Sequence, residues 1–448
     1  MIGLRTAVAA ACAGVIAAGL GLAPGLVLAS RPRGWQRIIC ALWLAGLALP
    51  TVFLAGAWSS LLGLGPSPPR SDEASVQRWF CLCLTWGLSL APLASMIVML
   101  SLTRLPQGEL AAGRIFLSPV RRWLVVLLPG MRGGLVLASV VAAALAFTDA
   151  GAPAHFGVQT VASRASFEFL SSLETAPAGA VVLPPWLACG VLVWLLAARG
   201  SGSGKENARV LAGRGALAVM VATLLLSFGV PVIALAIIAR DALAPAELAR
   251  YLPELGNSLK YSVAGGLLAL GLTLLALGWE AATLPGRGRR LLLAGGALAL
   301  TAPGMAVGYT ALLAQLHIGG SQSAWWWLGF LLLRCAPWCV PLIVWGGASS
   351  SRAALALGLP PATRVRAALR DSGPALGVAA MLAGGAGALR EFEYFAAFGL
   401  PYGESLAARA AQMLHFGMRP PLAALMLVQY ALALAWSIAA VSLWRRRG

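Results

Sequence analysis

Charge is scarce in this sequence, and negative charge is scarcest. Only 11% of its residues are Asp, Glu, Lys or Arg, against about 25% in an ordinary soluble domain. Such a chain cannot cover a water-facing surface, which excludes a soluble globular fold. Its 15 acidic residues and three histidines (His155, His317, His415) are spread over 448 positions, and their spacing assembles neither a catalytic triad nor a metal-ligand cluster. A phosphate-binding loop is missing too. The nearest candidate, GSGSGKE at 200–206, has Glu206 where a magnesium-holding Ser or Thr must follow the lysine, and Arg199 where the leading glycine belongs. This stretch reads as a linker, so any ATP-driven step has to come from a separate chain. The seven cysteines all lie in or beside apolar runs, without partners at metal-site spacing, and read as small packing residues.

What abounds is hydrocarbon: 59% of residues are hydrophobic and mean hydropathy is +0.83. A membrane span needs roughly 20 mostly apolar residues. Eleven runs qualify, near 5–29, 37–62, 79–102, 133–149, 180–198, 215–239, 258–279, 290–315, 325–348, 375–392 and 420–443. The first is too long for the apolar core of a cleaved signal peptide, and the next run follows after a short basic loop. The net charge of +18 reports topology rather than an affinity for nucleic acid. With the N-terminus outside and alternating spans, about two-thirds of the 33 Lys and Arg fall in inside segments, and no such segment has fewer than three. Trp325-Trp326-Trp327 opens a span on its outer side, as an aromatic belt does.

The chain also matches itself. A shift of 242 residues aligns Leu110-Ala111-Ala112 with Arg352-Ala353-Ala354, Asp149 with Glu391, and Phe156-Gly157 with Phe398-Gly399. Slightly different offsets align Ala91-Pro92 with Ala336-Pro337 and Arg164 with Arg409. In each half a long basic loop precedes a shorter span, whose outer end carries an acidic residue. The Gly/Ser-rich charged segment 199–214 suits a linker between the halves, giving units at 1–198 and 215–448. The span near 215–239 restores the orientation that an odd number of spans in the first half would invert, so both basic loops are expected inside.

Those loops carry a resemblance. The second, SRAALALGLPPATRVRAALRDSGPAL, resembles the cytoplasmic signature of binding-protein-dependent ABC transporter permeases: Ala353-Ala354 and Gly358 stand in place, Arg352 replaces the glutamate, and Arg370-Asp371 replaces the Leu-Pro pair. The first, ELAAGRIFLSPVRRWLVVLLPGMRGGL, keeps Glu109 one position early, Ala111, Ala112 and Leu128-Pro129, with Phe116 where the glycine is expected. NSLKYSV (257–263), GALREFEYF (387–395) and SLAARAAQMLHFG (405–417) extend the similarity, which covers most of 5–443. Two fused permease units are most similar to the ferric-iron permease branch, shared by thiamine permeases. That branch usually has twelve spans, one more than here.

The resemblance implies an all-α polytopic membrane protein made of two tandem ABC importer permease-type helical bundles, in the cytoplasmic (inner) membrane of a bacterium. It implies a cytoplasmic ABC ATPase dimer docked on loops 104–132 and 349–374, and an extracytoplasmic solute-binding protein on the other face. No cofactor is expected on this chain, ATP being used by the partner. Glu109, Ala111, Ala112, Arg121, Arg122, Arg352, Ala353, Ala354, Gly358, Arg364 and Arg366 become the candidate ATPase-coupling residues. Small residues there permit close backbone approach, and the arginines suit acidic rim residues or lipid headgroups. Asp149, Arg334, Arg390, Glu391 and Glu393, charged groups in or beside apolar runs, are candidate pathway or gating residues. Ferric iron is the solute favoured by the fused arrangement; thiamine, a phosphonate or a polyamine fits the same machinery, and an ion-coupled carrier built on repeats is the rival from another class. Cysteines introduced across 199–214 should resist a membrane-impermeant maleimide in intact cells and react after permeabilisation; labelling from outside would invert the topology.

Overall fold

Within hydrocarbon a backbone must satisfy its own hydrogen bonds, so apolar runs of span length become helices. The computed structural model describes residues 2–30, 36–64, 72–102, 107–172, 214–282, 358–371, 373–390, 405–414 and 420–445, with a few isolated positions between them. The expected spans near 290–315 and 325–348 and nearly all of 180–198 lie outside these residues. So do segment 199–213 and the side chains of Arg334, Arg352, Ala353, Ala354, Glu391 and Glu393. Among the described residues there is no strand. Among them six helices are long and apolar enough to cross a membrane: Ile2–Ala29, Ser75–Leu102, Val120–Thr148, Arg214–Ile238, Leu252–Trp279 and Pro420–Ala439. The chain is an all-α, multi-pass membrane protein.

The first part is built on three helices, α1 (Ile2–Ala29), α4 (Asp72–Leu102) and α7 (Leu128–Thr148). A Cβ on Gly21 would lie 2.8 Å from the Ser95 amide, and one on Gly25 would lie 2.7 Å from Val98 Cγ1, so α1 runs parallel to α4 at near backbone contact. On its other side α1 meets α7 antiparallel: a Cβ on Gly14 would collide with the Ser139 carbonyl and lie 2.9 Å from Ala143 Cβ. Lipid gives helices no hydrophobic reason to associate, so small residues that admit close packing supply the attraction.

A close contact like that of α1 with α7 joins α13 (Leu252–Ala282) to α15 (Gly373–Arg390) in the later part. A Cβ on Gly266 would lie 2.6 Å from the Met381 carbonyl. Gly266 is 252 residues beyond Gly14, and Met381 is 242 beyond Ser139. A second pair of contacts follows suit at the helix starts. The Val161 amide, first in α9 (Val161–Ser172), donates to Thr6 Oγ1 at 3.3 Å, and the Leu406 amide, first in α16 (Leu406–Leu414), donates to Ser258 Oγ at 2.9 Å. Both short helices are also capped by the hydroxyl just before them, Thr160 for Ser163 N–H and Ser405 for Ala408 N–H. Arg164 and Arg409, aligned in the sequence, occupy the same place in their helices and donate to Glu168 and Gln412.

Helix breaks have identifiable causes. The run expected as one span near 37–62 is two helices, α2 (Gln36–Ala45) and α3 (Thr51–Leu61), joined through a 3₁₀ turn at Gly46–Ala48. The two limbs, Ile38–Ala48 and Thr51–Leu61, bend by 98°. Pro50 is responsible: its ring pushes the preceding Leu49 to an extended backbone (φ −96, ψ 129), which ends the first limb. Elsewhere proline bends without breaking. Pro129 has no amide for the Val125 carbonyl, and a π-turn at Trp123–Leu127 absorbs the defect, with Leu128 N–H donating to the Trp123 carbonyl. The same device at Leu225–Gly229, ahead of Pro231, joins α10 (Arg214–Leu224) to α11 (Val230–Ile238). The span expected near 133–149 therefore starts earlier, at Val120.

One buried cluster draws on both parts, combining Phe53, Trp86, Ala144 and Phe156 with Leu235, Leu389, Leu406, Leu425 and Tyr430. The last helix, α17 (Pro420–Arg445), packs on α2 and α15. The helices expected at the head of the second unit, α10 and α11, pack on α1, α3 and α17. Replacing Gly266 with Leu should destabilise the chain by about 1–3 kcal/mol through overpacking, lowering its thermal midpoint in detergent; Gly271, with open space around it, tolerates the same change.

Candidate functional site

The two basic segments lie at one end of the bundle. Helix α7 is antiparallel to α4, since a Cβ on Gly134 would collide with Ser101 Oγ while the C-terminal end of α7 lies beside Trp86. Helix α15 also runs against α4: it packs on the Gly46–Ala48 turn, which lies on Pro92, and its last residue, Arg390, reaches Ser89. Because α7 and α15 point the same way, the segments that lead into them share a side.

The first segment is a helix, a two-residue turn and the start of the next span. Helix α5 (Gln107–Phe116) buries Leu110 and Gly113 against α6 (Pro119–Arg122) and the π-turn. Its other face presents Glu109, Ala111 and Ala112 with Ile115 and Phe116, the last two 75% and 79% exposed. Arg114 and Arg121 are exposed on its flanks, and Arg122 is half-buried beside Gly113. Within 104–132 the residues from Val120 on belong to the helix that continues as the span.

The second segment ends in α14 (Pro361–Asp371). Pro361 stands 242 residues after Pro119, and each begins a helix. Gly358 precedes it at φ +68, a left-handed conformation that side chains disfavour. Phe116, 242 residues earlier, closes α5 inside the helix and has no such need, which explains why one copy carries glycine and the other does not. Arg366 and Arg370 are exposed. Arg364, expected among the coupling residues, is only 8% exposed, and its Nη2 donates to the Ala282 carbonyl at 3.3 Å, capping the end of α13.

At the opposite ends of α7 and α15, Asp149 and Arg390 come to the same stretch of α4. Asp149 is buried and accepts three hydrogen bonds, from Trp86 Nε1 at 2.7 Å, Gly151 N–H at 3.0 Å and Ala152 N–H at 3.3 Å. Expected among the pathway or gating charges, it ties α7 to α4 and starts α8 (Gly151–His155). Arg390, expected in the same group, has its Nη2 donating to Ser89 Oγ at 3.3 Å. The adjoining Leu389 carbonyl accepts from Gln429 Nε2 at 2.9 Å, and Tyr430 meets Phe228 edge-to-face with ring centroids 5.1 Å apart. Trp86, Ser89 and Gln429 were not picked out from the sequence; a lone buried amide within an otherwise apolar helix was the available signal for Gln429.

Among the described residues no three His, Cys, Asp or Glu side chains gather to hold a metal ion. No protein-family model matches the chain, and neither the curated proteins nor the solved structures compared with it give a significant match. Replacing Trp86 with Phe removes a hydrogen bond to a buried carboxylate and should lower stability by about 1.5–3 kcal/mol, read as an earlier thermal midpoint; an unchanged midpoint would show that Asp149 does not depend on Trp86.

Proposed function

We propose that this chain is the membrane permease of an ABC importer, built from two tandem bundles, which moves ferric iron delivered by an extracytoplasmic binding protein. A separate cytoplasmic ATPase drives it through α5 on one side and the segment from Arg352 to Gly358 on the other. The supporting observation is the repeated geometry. Two basic segments, 242 residues apart, share one end of the molecule and lead into helices packed alike on α1 and α13. Each of those helices runs from its basic segment to the same two turns of α4, where Asp149 and Arg390 attach. Movement imposed on either segment by a partner closing on ATP therefore arrives at one helix, which couples the two parts in a rigid alternation between inward and outward openings.

Iron in this reading is cargo, held tightly by the receptor and only transiently by the permease. The same machinery accommodates thiamine, a phosphonate or a polyamine, and uptake assays with each separate these solutes. The decisive experiment is reconstitution with the cognate ATPase and receptor in proteoliposomes. Transport should require both partners and ATP. Replacing Gly358 with Glu should leave membrane expression intact while abolishing receptor-stimulated ATP hydrolysis. Transport by the purified chain alone, driven by an ion gradient, would defeat the proposal.

A further inference from the structure

Helix α14 carries three arginines against one aspartate, and among the described residues none of the three forms an ion pair. The ion pairs among the described residues, Arg164–Glu168 and Arg250–Glu247, lie elsewhere. Arg364 is the most demanding of the three. The residue is 8% exposed, its Nε is buried without a hydrogen-bond acceptor, and its Nη2 donates to the Ala282 carbonyl. Burying a cation this way is costly unless negative charge stands close by, and the end of the α13 dipole supplies only a partial charge. Arg366 and Arg370 sit one turn apart on the exposed side of the same helix, a like-charge spacing that opposes helix formation. Their opposite face is occupied: Val365 and Leu369 pack on α13 beside Gly278 and Leu277, and Ala368 is buried.

The depth of this basic surface identifies what neutralises it. The apolar span of α13 ends at Trp279, which is 46% exposed. Tryptophan at a span end marks the level of the lipid headgroups, and Arg364 caps the same helix one turn further on. At that level the chain itself has Glu280 and Asp371, fewer acidic groups than the three arginines, and a bilayer adds the phosphates of its lipids. We propose that α14, with the end of α13, is a docking surface for the phosphates of anionic phospholipids, with Arg366 and Arg370 holding the headgroup and Arg364 providing the positive field behind them. This surface depends on the chain being a membrane protein and not on what it transports, so it stands or falls separately from the importer reading.

The test uses the full chain purified in detergent. Phosphatidylglycerol or cardiolipin should raise its thermal midpoint more than the same amount of phosphatidylcholine does, and 1 M salt should remove the difference. Arg366→Gln combined with Arg370→Gln, both at exposed positions, should weaken phosphatidylglycerol binding about thirty-fold, while Arg364→Lys, keeping the charge, should retain most of it. Equal stabilisation by phosphatidylcholine, or by inorganic phosphate at matched ionic strength, would overturn the proposal. So would lipid binding left unchanged by the double variant; if such a variant had also lost coupling to the ATPase, the arginines would belong to a protein partner instead.

Discussion

Helices inside a bilayer are surrounded by hydrocarbon as apolar as their own side chains, so they adhere only where their surfaces fit closely. Gly14 against the Ser139 carbonyl and Gly266 against the Met381 carbonyl are such places. At each, the absence of a single carbon lets two backbones touch, and dispersion and weak polar contacts replace the hydrophobic drive of a soluble core. The positions of α7 and α15 follow from these contacts. So do the common side of the basic segments and the arrival of Asp149 and Arg390 at one stretch of α4.

Composition and hydropathy made the class of molecule and most of its described spans readable, because a run of about twenty apolar residues has few alternatives. The alignment of Arg164 with Arg409 was legible because polar residues stand out against the Ala/Gly background, and the two hold like places in α9 and α16. Correspondence was hidden where the repeated chemistry changes residue type. Thr6 and Ser258 accept equivalent hydrogen bonds from Val161 and Leu406, yet no residue-by-residue match would pair a threonine with a serine in two dissimilar apolar runs. Continuity of the helix through Pro129 was also hidden, because a proline ordinarily argues for an end and only geometry reveals the π-turn that accommodates it.

Charged residues were the least readable. An ionisable group within or beside an apolar run signals importance without saying which, and here the answers diverge. Asp149 is saturated by three donors, Arg364 caps a helix, and Arg390 bridges to Ser89. The deciding factor in each case is a neighbour distant in sequence: the indole of Trp86, the terminal carbonyl of α13, a hydroxyl 301 positions away. Local pattern holds no trace of such partners.

The right-angle turn between α2 and α3 has its own mechanical meaning. A helix interruption leaves peptide groups that hydrocarbon cannot solvate, and this one is enclosed: Leu47, Ala48, Leu49, Val52 and Phe53 are all buried, with α4 and α15 closing over the turn. Prising those helices apart would bare amides to oil, so this corner resists separation more than its surroundings do. In the importer reading, tilting of the two parts would pivot at this corner, with the largest displacement at the basic segments far from it.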